Sequence, residues 1–165
     1  MKKLLIVYYS WSCGNTERTA KALQSVAGGN LVRLDTAVPY TGSYNDVVDQ
    51  GQHEVNAGFE PEIKPLPVNV ADYDVIAVGT PTWWYTMAPA VKTFLHGQNF
   101  AGKTVVPFMT NGGWPGRVIK DMKAACPGAD FACDMQVKFD SNGGDHLETP
   151  ESKINAWAQS VKALL

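Results

Sequence analysis

The sequence predicts an α/β protein with a doubly wound, five-stranded parallel sheet in a three-layer α/β/α sandwich. Two features of the 165-residue chain carry that expectation. Short continuous apolar runs alternate with segments of helical periodicity, as strands buried on both faces and covered by helices require. The runs are joined by connections long enough for right-handed helical crossovers. With 45% hydrophobic and 18% charged residues, the chain is expected to form one soluble domain with a substantial core.

Each element has a local reason. Lys3 to Tyr9 is the first strand, and the hydroxyl- and amide-rich turn Ser10-Trp11-Ser12-Cys13-Gly14-Asn15-Thr16 ends it. A helix follows from Thr16 to Val26, with Ala20, Leu23 and Val26 on its inner face and Gly28-Gly29 stopping it. Asn30 to Asp35 is a short second strand. Thr36 to Asp74 is interrupted by Pro39, Pro61, Pro65 and Pro67 and by Gly42, Gly51 and Gly58, so an irregular excursion is expected, with a short helix over Tyr44 to Val55.

Val75 to Gly79 is a buried strand bounded by a Thr-Pro turn, and Ala88 to His96 is a helix with Pro89 in its first turn. Lys103 to Thr110 is the fourth strand and Arg117 to Ala125 the next helix. Phe131 to Phe139 alternates as the last strand, and Pro150 to Leu165 closes the chain as an amphipathic helix.

Charge and targeting signals narrow the function. The net charge is −2 with both signs interspersed, so neither nucleic acid nor a membrane surface is an expected partner. The run after Lys2 and Lys3 is too short and too soon interrupted for an export signal, and no other stretch approaches the about 18 apolar residues of a spanning helix. Cys13, Cys126 and Cys133 form neither a CxxC pair nor a zinc spacing. A reduced, cytoplasmic protein is expected.

In a doubly wound sheet the ligand lies beyond the carboxyl ends of the strands. Three loops should therefore meet: Ser10 to Thr16, Thr80-Pro81-Thr82-Trp83-Trp84-Tyr85, and Thr110-Asn111-Gly112-Gly113-Trp114. The first brings a hydroxyl-rich turn to the positive end of a helix, an outline that suits a phosphate. Taken alone it has a plainer reading, with Ser12 or Asn15 capping the helix. The second supplies three consecutive aromatic rings, more than core packing alone calls for. The third supplies glycines that let backbone approach a heterocycle closely.

With these residues quoted, the chain resembles the flavodoxin family. Ser10 to Thr16 is similar to its FMN-phosphate loop, and Gly79-Thr80-Pro81-Thr82-Trp83-Trp84, Thr93-Phe94-Leu95, Gly102 to Phe108 and Thr110 to Gly113 are similar to a flavodoxin-like branch common in bacteria. The resemblance implies strand order 2-1-3-4-5 and FMN as cofactor. It implies phosphate contacts from Ser10, Trp11, Ser12, Cys13, Gly14, Asn15 and Thr16. Thr80, Pro81, Thr82, Trp83, Trp84 and Tyr85 would line the ribityl chain and one ring face, and Thr110, Asn111, Gly112, Gly113 and Trp114 the pyrimidine edge or other face.

The implied function is electron transfer with redox partner proteins. The alternative is NAD(P)H-dependent reduction of a small quinone or flavin, by a monomer or a homodimer. Two departures stand out. Cys13 lengthens the phosphate loop by one residue, and the three loops carry no carboxylate. Because nearby negative charge opposes reduction to an anion, a less negative potential than in acidic flavodoxins is expected.

Other phosphate-binding designs fail on spacing. A cysteine-dependent phosphatase loop needs five residues between Cys and Arg, whereas four separate Cys13 from Arg18. Tyr8 and Tyr9 stand where a receiver domain needs acids, and neither GxxxxGK[ST] nor GxGxxG occurs. His53, His96 and His146 show no metal spacing. Asp145-His146, on the loop after the last strand, is a weaker candidate for the border of the site.

Overall fold

In a computed structural model spanning residues 1–165, the sheet begins with β1 (Leu4–Tyr8), whose five side chains are all buried. It pairs in parallel with β2 (Asn30–Arg33) on one side and β3 (Val75–Trp83) on the other. β3 pairs in parallel with β5 (Thr104–Asn111), which in turn holds β6 (Asp130–Phe131) and β7 (Met135–Lys138). The parallel order is the predicted 2-1-3-4-5, with two changes of detail that raise the strand number to seven.

The first change is at β3, which runs four residues past Gly79 and folds back as β4 (Thr86–Met87), an antiparallel hairpin strand. Pro81 does not stop it. Tyr9 N donates to Gly79 O, so the same side of residue 81 faces the place where β1 has already ended, and the missing N–H of proline is not needed there. The second change is at the expected strand over Phe131 to Phe139, which is split at Cys133, where φ is 54°. Trp157 Nε1 donates to the freed Cys133 carbonyl at 2.7 Å.

Alternating side chains of the sheet feed two cores. Leu5, Val7, Ile76, Val78 and Met109 face one layer, covered by α3 (Pro89–His96) and α4 (Val118–Ala124). Leu4, Ile6, Tyr8 and Phe108 face the other, covered by α1 (Asn15–Ala27) and α5 (Glu151–Lys162). Phe108 lies so close to Gly79 that a Cβ there would stand 2.3 Å from its ring.

The excursion from residue 36 to 74 is better ordered than its composition suggests. Thr36 bridges Ile63, and Lys64 N donates to Asp35 O at 2.8 Å. Within it, α2 (Tyr44–Ala57) starts at a capping box in which Ser43 and Asp46 exchange side-chain-to-backbone hydrogen bonds. Gly51 does not break this helix. A Cβ at that position would stand 3.0 Å from the Trp83 ring, so glycine is what lets the indole lie against α2. No helix is long and apolar enough to cross a membrane.

Candidate functional site

The three loops do meet at the carboxyl edge of the sheet, and threonines join them. Thr16 Oγ1 and Thr110 Oγ1 lie 2.8 Å apart in a buried contact, and Thr82 Oγ1 donates to Thr110 O at 2.9 Å. They frame a cleft of about 370 Å³, within the usual range for small-molecule sites.

Neither Ser12 nor Asn15 caps α1; the side chain of the turn that reaches a first-turn N–H is that of Ser10, whose Oγ accepts from Glu17 N. Gly14 is the N-cap residue, at φ 75°. The Asn15 amide instead donates to Gly144 O at 2.9 Å, and the Ser12 hydroxyl lies beside Cys13 Sγ. Consequently the backbone N–H groups of five consecutive residues, Ser12 to Thr16, donate to no group of the chain. Ser12 and Gly14 take positive φ (67° and 75°) on either side of Cys13, the alternation that turns successive amides toward a common concavity. With the N-terminal end of α1 behind them, these amides form an anion cradle.

Not every predicted site residue reaches the cleft. Trp11, Ser12, Cys13, Asn15 and Thr16 line it, whereas Gly14 does not and Ser10 is buried beneath, its Oγ accepting from Glu17 N at 3.3 Å. Pro81, Thr82, Trp83, Trp84 and Tyr85 line it, whereas Thr80 is fully buried and accepts from Ala88 N at the start of α3. Thr110, Asn111, Gly112 and Trp114 line it. Gly113, at φ 114°, turns away toward Lys138, with its N–H held by Asn111 Oδ1 at 2.7 Å.

The aromatic wall is positioned by the β3–β4 hairpin. Trp84 and Tyr85 occupy its two-residue turn with φ of 50° and 67°, the pattern of a type I′ turn that ordinarily takes Asn-Gly. Trp84 Nε1 donates to Val48 O on α2, and Arg117 N donates to Tyr85 O at 2.7 Å, pinning the tip from both sides. Behind it, Trp83 packs on Tyr40 and Tyr9 with ring centroids 5.1 and 5.9 Å away. Burial raises the Tyr9 phenol well above its ordinary pKa. Burial, then the Glu54 carboxylate, does the same for Tyr40.

Two parts of the lining lay outside the predicted loops. From α2 come Tyr44, Val47, Val48 and Gly51, and Tyr44 stacks on Trp11 at 5.7 Å. From the loop after β7 come Phe139, Asp140, Gly143 and Gly144, rather than the Asp145-His146 pair. Asp140 is the sole acidic side chain lining the cleft. Its carboxylate accepts from the backbone N–H groups of Gly144, His146 and Asn142, and the first two hold its pKa most strongly below the usual range. An Asp followed by Ser-Asn-Gly-Gly is a turn signal, and it was the available clue to this fourth wall.

Cys13 is exposed, its Sγ donating to Gly143 O at 3.4 Å. Cys126 is buried, and burial pushes its thiol up to about 11. All three cysteines are free.

A doubly wound α/β sandwich with an amide cradle and an aromatic wall at the carboxyl edge of its sheet defines the class. Within that class the chain belongs to the flavodoxin family, whose sequence profile matches residues 3–156. A candidate flavoprotein from Bacteroides eggerthii is 32% identical, superposes with a TM-score of 0.77 and covers 99% of both chains. The fold is shared with a flavoprotein from Lactobacillus acidophilus solved in complex with FMN, at TM-score 0.71 and 22% identity over 96% of this chain and 99% of that one. NAD(P)H dehydrogenase (quinone) 3 of Rhizobium meliloti is 36% identical over 100 residues, 58% of this chain and 43% of the enzyme. The chain thus matches less than half the length of that relative.

Proposed function

We propose that the cleft binds FMN and that the protein is a redox flavoprotein acting as an electron carrier. The observation that carries this reading is the run of acceptorless amides from Ser12 to Thr16, which opens into the same cleft as the aromatic wall. A phosphorylated flat ligand satisfies both ends at once. In this reading the five amides and the Ser12 hydroxyl hold the phosphate dianion. Trp83, Trp84, Tyr85 and Trp114 supply the wall for the ring, and Asn111 and Gly112 offer polar groups to its edge. When bound, FMN supplies one- and two-electron chemistry.

The chain's own contribution is positioning and charge. The Trp84 hydrogen bond to Val48 keeps the wall in place without the ligand. Asp140, kept ionised by three N–H groups, is the one carboxylate that the structure adds to the cleft. The less negative potential expected of this site therefore rests on the acid-free loops alone, with Asp140 opposing it.

A second reading is an NAD(P)H-dependent quinone or flavin reductase. The likeness to the Rhizobium enzyme favours it, as do the exposed rings of Tyr85 and Trp114 at the cleft mouth, which leave apolar surface for a second flat molecule. Anaerobic mixing of the FMN-loaded protein with NADPH, then dithionite, separates the two. Reduction by dithionite alone is the expected carrier result, and rapid bleaching by NADPH gives the reductase. Failure of the protein to take up FMN overturns both.

A further inference from the structure

The cleft wall continues inward as a chain of rings. Tyr44 stacks on Trp11 at 5.7 Å, Trp11 meets Trp83 edge-on at 6.5 Å, and Trp83 meets Tyr40 at 5.1 Å and Tyr9 at 5.9 Å. Five oxidisable side chains are therefore in consecutive contact, three of them lining the cleft. They share neither a common strand nor a common helix.

The tyrosines in this chain differ in one respect. The Tyr40 hydroxyl donates to Glu54 Oε1 at 2.6 Å, while Glu54 Oε2 accepts from Gln50 Nε2 at 2.8 Å. The hydroxyls of Tyr9 and Tyr44 donate to no group of the chain. A phenol that loses an electron becomes a strong acid, so oxidation is easiest where a base already holds the proton. Only Tyr40 has one. Glu54 also lines a second, open groove with Lys92 and Arg117, so a proton it receives has a route to water.

We propose that Trp11, Trp83 and Tyr40 form a one-electron relay that draws oxidising equivalents out of the cleft and ends at Tyr40, with Glu54 as the proton acceptor. The balance is simple. A one-electron oxidant in the cleft takes an electron from the indole of Trp11 or Trp83, leaving a radical cation. Tyr40 returns an electron to that indole, and its O–H proton crosses to the Glu54 carboxylate. The products are a restored tryptophan, a neutral tyrosyl radical and a carboxylic acid. The natural oxidant is an excited or oxidising flavin, and that part rests on the FMN reading. The relay itself is a property of the protein and answers to any one-electron oxidant of indoles. Its role would be protective, moving a stray oxidation away from the cofactor cleft to Tyr40, within the segment that bridges Thr36 to Ile63.

Two experiments test it. In the ligand-free protein, azide radicals generated by pulse radiolysis oxidise tryptophan. A Trp84→Phe, Trp114→Phe background removes the exposed indoles that would react without joining the relay. In the FMN-loaded protein, flash excitation of the flavin sets the oxidation in the cleft. The expected result in both is decay of the tryptophanyl absorbance with a matching rise of tyrosyl absorbance. Tyr40→Phe, which keeps the ring packing, loses the tyrosyl signal. Glu54→Gln, which leaves an amide where the base stood, slows the step. Tyrosyl radical formed equally in the wild type and in Tyr40→Phe overturns the proposal, as does a rate unaffected by Glu54→Gln. If only the ligand-free experiment succeeds because no flavin binds, the relay stands and the cofactor reading fails.

Discussion

Single residues at the cleft are held in conformations that their side chains disfavour. Ser12, Trp84 and Tyr85 all have positive φ without being glycine, and each lines the site. Left-handed backbone costs an L-residue about 1–2 kcal/mol, and strain of this kind concentrates where a site needs a particular geometry. Tyr85, exposed and at the hairpin tip, offers the cleanest test. Tyr85→Gly is expected to raise unfolding stability by about 1 kcal/mol in denaturant titration. It should also weaken binding of FMN or of a flat aromatic substrate, measured by fluorescence titration. A loss of stability would mean that the ring contributes more packing than its exposure suggests. The relation of sequence to structure at this scale is mixed. Three aromatic residues in a row were legible as a wall, whereas the turn that aims them was not, because Trp-Tyr is not a combination from which a type I′ hairpin is read.

Among the elements, the loop after β7 depends on one carboxylate. Asp140 gathers the N–H groups of Asn142, Gly144 and His146, and the same loop accepts from Asn15 across the cleft. Because its pKa is depressed in the folded protein, the loop is fully held above the ordinary aspartate range, near about pH 4. The hold is lost as pH falls through the lower folded value. Protection factors of the Gly144 and His146 amides, corrected for the intrinsic pH dependence of exchange, are therefore expected to fall at acid pH, and in Asp140→Asn already at neutral pH, with little change in the sheet amides. NMR-detected hydrogen exchange reads both. In the sequence Asp140 reads only as the start of a turn, whereas Asp145-His146 carries more familiar site chemistry, so the wall that Asp140 builds is set by tertiary contact. The strands and helices were readable to within a few residues, except where tertiary contact decided. The extension of β3 through Pro81 depends on where β1 ends, and the tolerance of Gly51 in α2 depends on Trp83.

For the whole molecule, the cofactor reading makes a thermodynamic prediction. A ligand that binds the folded state alone, at one hundred times its dissociation constant, adds about 2.7 kcal/mol. For a chain of this size that corresponds to a rise of roughly 5–10 °C in Tm. A calorimetric scan with and without FMN should show it, and an unchanged Tm at saturating FMN would count against the proposed site. The broken last strand bears on behaviour of another kind. A parallel sheet left open at its ends displays rows of unpaired amides that invite a second chain to add on. Here the one edge is β2, four residues long and bearing Arg33, and the other is interrupted at Cys133, with the freed carbonyl already taken by Trp157. Neither end offers a long flat template, so concentrated native protein is guarded against ribbon-like growth by the same kink that split the strand.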